Sequence, residues 1–80
     1  MMLVRFFGNA KAVAGADTVE IEVSAETVAD FVEQLGERCG DEMKALLPYC
    51  RLAHGTVVLD AKSAMPTTGE IVVLPPVSGG

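Results

Sequence analysis

The sequence predicts an α+β fold, a mixed sheet of about five strands with one main helix packed on one face. Three observations carry that prediction. Short strand-like runs stand near both ends of the chain, alternating with period two at 2–7 and 18–23 and apolar on both faces at 70–74. One longer stretch has the helical period, with Val28, Phe31, Val32 and Leu35 at i, i+3, i+4 and i+7. The chain has 80 residues, room for one small domain, which at this size buries only about 60–65% of its surface.

The elements are taken in chain order. Over 2–7, Met2, Val4 and Phe6 point to one side and Leu3, Arg5 and Phe7 to the other, so Phe6 is expected in the core and Phe7 on the opposite face. Residues 8–15 are small and Ala-rich, and suit one short helical turn ended by Gly15. The strand over 18–23 turns Val19, Ile21 and Val23 inward and Thr18, Glu20 and Glu22 outward, and should pair with the first strand as a hairpin. Thr27 and Asp30 make a plausible cap for the main helix, and Gly40 a natural stop. Gly36 interrupts the helical pattern near its end. A short turn of helix with Met43, Leu46 and Leu47 on its apolar side is expected to end before Pro48. Strands over 50–53 and 56–59 flank His54-Gly55, read as a two-residue hairpin turn. Residues 60–68 form a loop closed by Gly69. The last strand, 70–74, is apolar on both faces and therefore expected in the middle of the sheet. A β-grasp (ubiquitin-like) roll fits this order. A ferredoxin-like sandwich needs a second full-length helix, and 41–47 is too short to supply one.

The chemistry inside the domain is sparse. The net charge is −5 and the six Lys and Arg are scattered, which argues against nucleic-acid binding. Cys39 and Cys50 form no CxxC and have no histidine cluster, so no metal site is expected. The charge at Arg5 argues against a signal peptide, and no apolar run is long enough to cross a membrane; the protein reads as cytoplasmic, with both thiols reduced. His54 is the single histidine and has no nucleophile or carboxylate nearby in sequence to form a relay. No phosphate-binding loop or GxSxG occurs. The pattern suits a carrier or binding module better than an enzyme, with no cofactor bound by this chain.

The distinctive feature is the ending, Pro75-Pro76-Val77-Ser78-Gly79-Gly80. Two prolines stop the strand and restrict the backbone beyond it. Two glycines carry no side chains and can lie flat in a narrow channel. The expected division is a domain over 1–74 and a flexible tail over 75–80. In this reading the tail (Pro75, Pro76, Val77, Ser78, Gly79) threads into another protein and presents the carboxylate of Gly80. Activating a carboxylate needs ATP, and the chain has no ATP site, so a partner must supply it.

The segments Leu3-Val4-Arg5-Phe6-Phe7-Gly8, the helix over 28–35, and Leu74 through Gly80 resemble the ubiquitin-like sulfur carriers, the MoaD/ThiS family, and within it the small subunits of molybdopterin synthase. The resemblance covers the whole chain, and its specific part is Pro-Pro-Val-Ser-Gly-Gly after an apolar strand. It departs from the family at His54-Gly55, often Asn-Gly, at Gly69-Glu70, often Gly-Asp-Glu, and in a longer 60–68 loop. The resemblance implies that a ubiquitin-activating-type (MoeB-like) adenylyltransferase adenylates Gly80 with ATP. A sulfur donor then makes the thiocarboxylate, and the large synthase subunit (MoaE-like) receives it to build the molybdopterin dithiolene. By position it implies partner contacts at Phe7, Leu74 and Val58. Two alternatives stay open: a protein modifier forming isopeptide bonds through Gly80, or a carrier for thiazole, cysteine or tRNA thiolation. The plain alternative is an interaction domain with an idle tail.

Overall fold

The computed structural model describes residues 2–76. It contains β1 (Met2–Phe6), α1 (Gly8–Ala14), β2 (Thr18–Ile21), α2 (Val28–Cys39), α3 (Asp41–Leu46), a 3-10 turn (Leu47–Tyr49), β3 (Arg51–His54), β4 (Val57–Leu59) and β5 (Glu70–Leu74). The five strands form one sheet in the order β2-β1-β5-β3-β4. β1 pairs with β2 antiparallel and with β5 parallel; β3 lies antiparallel to both β5 and β4. The last strand is therefore central, as its two apolar faces require.

The core lies between one sheet face and the helices. Met2, Val4, Phe6, Ile21, Leu52, Ile71 and Val73 come from the strands, and Ala10, Val28, Phe31, Leu35, Met43 and Leu47 from the helical segments. The alternation in β1 and β5 places every second residue here. α2 carries the apolar stripe. Its first turn is capped by Thr27, whose Oγ1 accepts from the Asp30 N–H at 3.3 Å. Two more N-terminal donors of α2 are satisfied by the 60–68 loop: the Val28 N–H donates to the Ser63 carbonyl and the Ala29 N–H to the Ala61 carbonyl, both at 3.0 Å. The long loop thus has a structural task as well as a connecting one.

Several local expectations need correction. α1 is a full helix of 7 residues rather than one turn, because Ala10 is fully buried under it and holds it to the sheet. Gly36 does not fray α2; the helix continues to Cys39, and a methyl at Gly36 would sit 2.7 Å from Lys44 Cγ, so the missing side chain is what lets α3 pack close. α3 ends at Leu46, before Pro48 as expected; what was not expected is the 3-10 turn that follows, inside which Pro48 sits with its missing N–H tolerated. The hairpin turn is Gly55-Thr56, since His54 pairs with Val57; Gly55 has φ +63. The second strand also stops two residues early, at Ile21.

Candidate functional site

Among the described residues, the other sheet face carries no helix. By alternation it bears Leu3 and Arg5 of β1, Glu70, Val72 and Leu74 of β5, Arg51 and Ala53 of β3, and Val58 of β4. Arg5, Val72, Ala53 and Val58 stand in one cross-strand row. Phe7 follows β1 in extended conformation (φ −129°, ψ 158°), so the alternation continues and its ring takes the outer side. The parallel register Phe6–Val73, carried one residue on, brings Phe7 beside Leu74.

Each of the three apolar residues read as partner-binding is exposed: Phe7 at 45%, Leu74 at 38% and Val58 at 58% of full accessibility. They share a face but not a spot. Phe7 and Leu74 are neighbours at the end where β5 leaves the sheet. Val58 lies two strands from β5, roughly 10 Å at the usual strand spacing, with half-buried Val72 and Ala53 between. The result is a shallow apolar band crossing the sheet.

One charged pair borders the band. Arg5 Nε and Nη2 donate to the two carboxylate oxygens of Glu70, each at 3.1 Å. This two-pronged bond, with the Coulomb attraction of the carboxylate, raises the Arg5 pKa further. The pair links β1 to β5 across 65 residues of sequence. Charge counting along the sequence missed it; the parallel register of β1 and β5 is the signal that finds it. Ala53 was also missed as part of this face.

At the exit, Pro75 is half-buried and Pro76 is exposed. A methyl at Gly8 would lie 2.8 Å from Pro75 Cγ, and Gly8 has φ +54. The remaining tail positions, Val77, Ser78, Gly79 and Gly80, lie outside the described residues.

His54 is occupied structurally: its Nε2 lies 2.8 Å from the Thr68 carbonyl and ties the hairpin to the loop before β5. Cys39 and Cys50 are free and half-buried, and burial pushes both thiols up, away from nucleophilic thiolate character. Among the described residues no cluster of three or more His, Cys, Asp or Glu could hold a metal ion. No described helix is long and apolar enough to cross a membrane.

The chain's likenesses agree with this geometry. A chain from the complex of subunits 1 and 2 of the molybdopterin-converting factor of Helicobacter pylori is 28% identical, with TM-score 0.67 over 99% of this chain and 97% of that one. SAMP1 of Haloferax volcanii is 26% identical, with TM-score 0.73 over 99% and 98%. A molybdopterin converting factor subunit 1 of Pyrococcus furiosus, 21% identical, shares the fold at TM-score 0.80 over 95% and 97%. No curated protein sequence matches the chain. The architecture is the ubiquitin-like β-grasp that sulfur carriers and ubiquitin-like modifiers share. The ThiS family model matches residues 4–80, and the chain belongs to the ThiS family.

Proposed function

We propose that the chain is a sulfur carrier acting as the small subunit of a molybdopterin synthase. The observation that carries the reading is the placement of β5. The tail-bearing strand is held between two neighbours, and it delivers Pro75-Pro76 at the edge of an exposed apolar band containing Phe7 and Leu74. A partner docked on that band receives the tail from a fixed point. Residues 1–74 serve as the docking body and 75–80 as the delivered segment, with Phe7, Leu74 and Val58 as docking contacts.

The chemistry needs no catalytic group from this chain. The Gly80 carboxylate attacks the α-phosphorus of ATP on an activating partner, and pyrophosphate leaves. A donor supplying sulfur at the sulfide level attacks the acyl carbon of the adenylate, and AMP leaves with its oxygen. The thiocarboxylate enters the large subunit, its sulfur is transferred to the pterin precursor, and water restores the carboxylate. The Helicobacter pylori complex of the two subunits supports a large-subunit partner for this chain as well.

A second reading is supported by the likeness to SAMP1, since a Haloferax volcanii structure matched at 24% identity is described as small archaeal modifier protein 1. In that reading the activated Gly80 forms an isopeptide bond with a lysine of another protein. Intact mass spectrometry of the chain co-expressed with its activating partner separates the two. Exchange of one oxygen for sulfur supports the carrier, and covalent joining to target lysines supports the modifier. Deletion of Gly80 should abolish both. Retained pterin sulfuration after that deletion overturns the proposal.

A further inference from the structure

We propose that Gly8 is a positioning residue for the tail: its missing side chain and left-handed backbone make the seat on which Pro75 rests, and that seat sets how the chain leaves the sheet. The inference rests on the carrier reading and adds a residue to it.

Two independent observations meet at this point. The parallel register of β1 and β5 pairs Phe6 with Val73, and two residues further on it brings Gly8 level with Pro75. The space is also specific. A Cβ on Gly8 would approach Pro75 Cγ to 2.8 Å, and Pro75 Cδ and Cβ to 3.9 and 4.0 Å. Ordinary carbon contacts begin near 3.5 Å, so any side chain at Gly8 must push the ring out by about 0.7 Å. A proline ring cannot rotate away as a long side chain would.

Gly8 also makes the junction itself. With φ +54 it turns the chain from β1 into α1, where the N–H groups of Ala10 and Lys11 donate back to the Phe7 carbonyl at 3.1 and 3.3 Å. β1 therefore ends just where the Pro75 ring must pass. Pro75 lacks an N–H, so the ladder stops at Leu74 and the ring is held by packing. A displacement there shifts the point from which Pro75 and Pro76 leave the sheet, and misplacements of about 1 Å in positioning can cost 10²-fold in rate.

Gly15 supplies a matched control. It too has positive φ, +73, but a methyl there meets nothing within 4 Å. Gly8→Ala and Gly15→Ala thus share the backbone strain and differ in the contact with Pro75. The experiment measures ATP-dependent adenylation of the full chain by its activating enzyme, alongside the Tm of each variant. Both alanine variants should lower Tm, Gly8→Ala somewhat more because of its added contact with Pro75. Gly8→Ala should lower kcat/KM about tenfold, while Gly15→Ala stays within about twofold of wild type. The cycle closes with Pro75→Ala: the double variant Gly8→Ala/Pro75→Ala should be no slower than Pro75→Ala alone. In the unmodified chain, a nuclear Overhauser contact between Gly8 Hα and Pro75 Hγ should be visible.

Equal kcat/KM losses for the two glycine variants, losses that multiply in the double variant, or a missing Gly8–Pro75 contact would each overturn the inference. If Gly8→Ala does not fold, the Overhauser contact and a decrease in kcat/KM for Pro75→Ala decide it. A wild-type chain that the enzyme does not adenylate overturns the carrier reading instead.

Discussion

Replacing Phe7 by Ala should cripple docking while leaving a folded domain. A phenylalanine presents roughly 200 Å² of surface, and at 45% exposure about 90 Å² of it stands free in the isolated chain. Covering that area in a complex is worth about 2 kcal/mol at ~25 cal/mol per Å², a loss of roughly 30-fold in Kd when the ring is removed. Removing the part of the ring already packed on the domain lowers stability by at most about 3 kcal/mol at the same ~25 cal/mol per Å², an upper bound because the unfolded chain also shields some apolar surface. The neighbour Phe6 is the contrast. It is 1% exposed, and Phe6→Ala should cost about 3–5 kcal/mol. Urea unfolding followed by circular dichroism gives the stabilities, and calorimetric titration with the large subunit gives Kd. A 30-fold weakening cannot come from a minor unfolded fraction, since nearly all the protein would have to be unfolded. Unchanged Kd for Phe7→Ala, or a stability loss as large as that of Phe6→Ala, refutes the assignment of Phe7 to a docking face.

Gly36→Ala should lower Tm even though it removes a glycine from a helix. The propensity gain is about 1 kcal/mol, but the new methyl lies 2.7 Å from Lys44 Cγ, and overpacking costs about 1–3 kcal/mol. Made together with Lys44→Ala, the same change should become stabilising, and a Tm rise in the single variant would show that α3 simply moves away. Cys39 and Cys50 should react with iodoacetamide more slowly than free cysteine at pH 8, with rates still climbing above pH 9, because burial raises both thiols; a rate that levels off below pH 8 contradicts this. Lys11 Nζ stands 2.7 Å from Asp17 Oδ1, and this bond holds the Asp17 carboxyl below its ordinary value. A depressed carboxyl adds stability above its unfolded value and loses it as pH falls through the folded one. The Tm gap between wild type and Asp17→Asn should therefore persist at neutral pH and close below about pH 4. A gap that widens on acidification would mean that the pair is not formed.

Much of the fold was legible because its signals are local. Val4 and Phe6, or Val19 and Ile21, announce their face by alternation alone, the unbroken apolar run 71–74 announces a central strand, and the 28–35 stripe announces α2. What escaped depends on contacts between distant segments. α1 has no large apolar residue, and it is secured by burial of Ala10 in its first turn and by Val13 and Ala14 packing on the core in its second. Gly36 looks like a helix breaker until Lys44 is seen against it. The His54-Gly55 dipeptide resembles a turn, yet pairing of His54 with Val57 shifts the turn by one residue. The docking face divides in the same way. The outward direction of Phe7 and Leu74 follows from the strand pattern and Val58 came only from the family resemblance, whereas the Arg5–Glu70 pair and the Gly8–Pro75 contact exist only because β1 and β5 run side by side in parallel.

That parallel pairing also governs how the domain bears a mechanical load. Pulling the start of β1 and the end of β5 apart drags two adjacent strands in opposite directions along their length. The rungs from Leu3–Glu70 to Phe6–Val73 are then strained together in shear, and none can be peeled before the rest. Traction on the delivered end, as when a partner grips it or a protease draws it in, meets the stiffest direction of the sheet. Traction on β4, a three-residue edge strand, would unzip one rung at a time. The domain can be pulled by the end of β5 and still keep its shape.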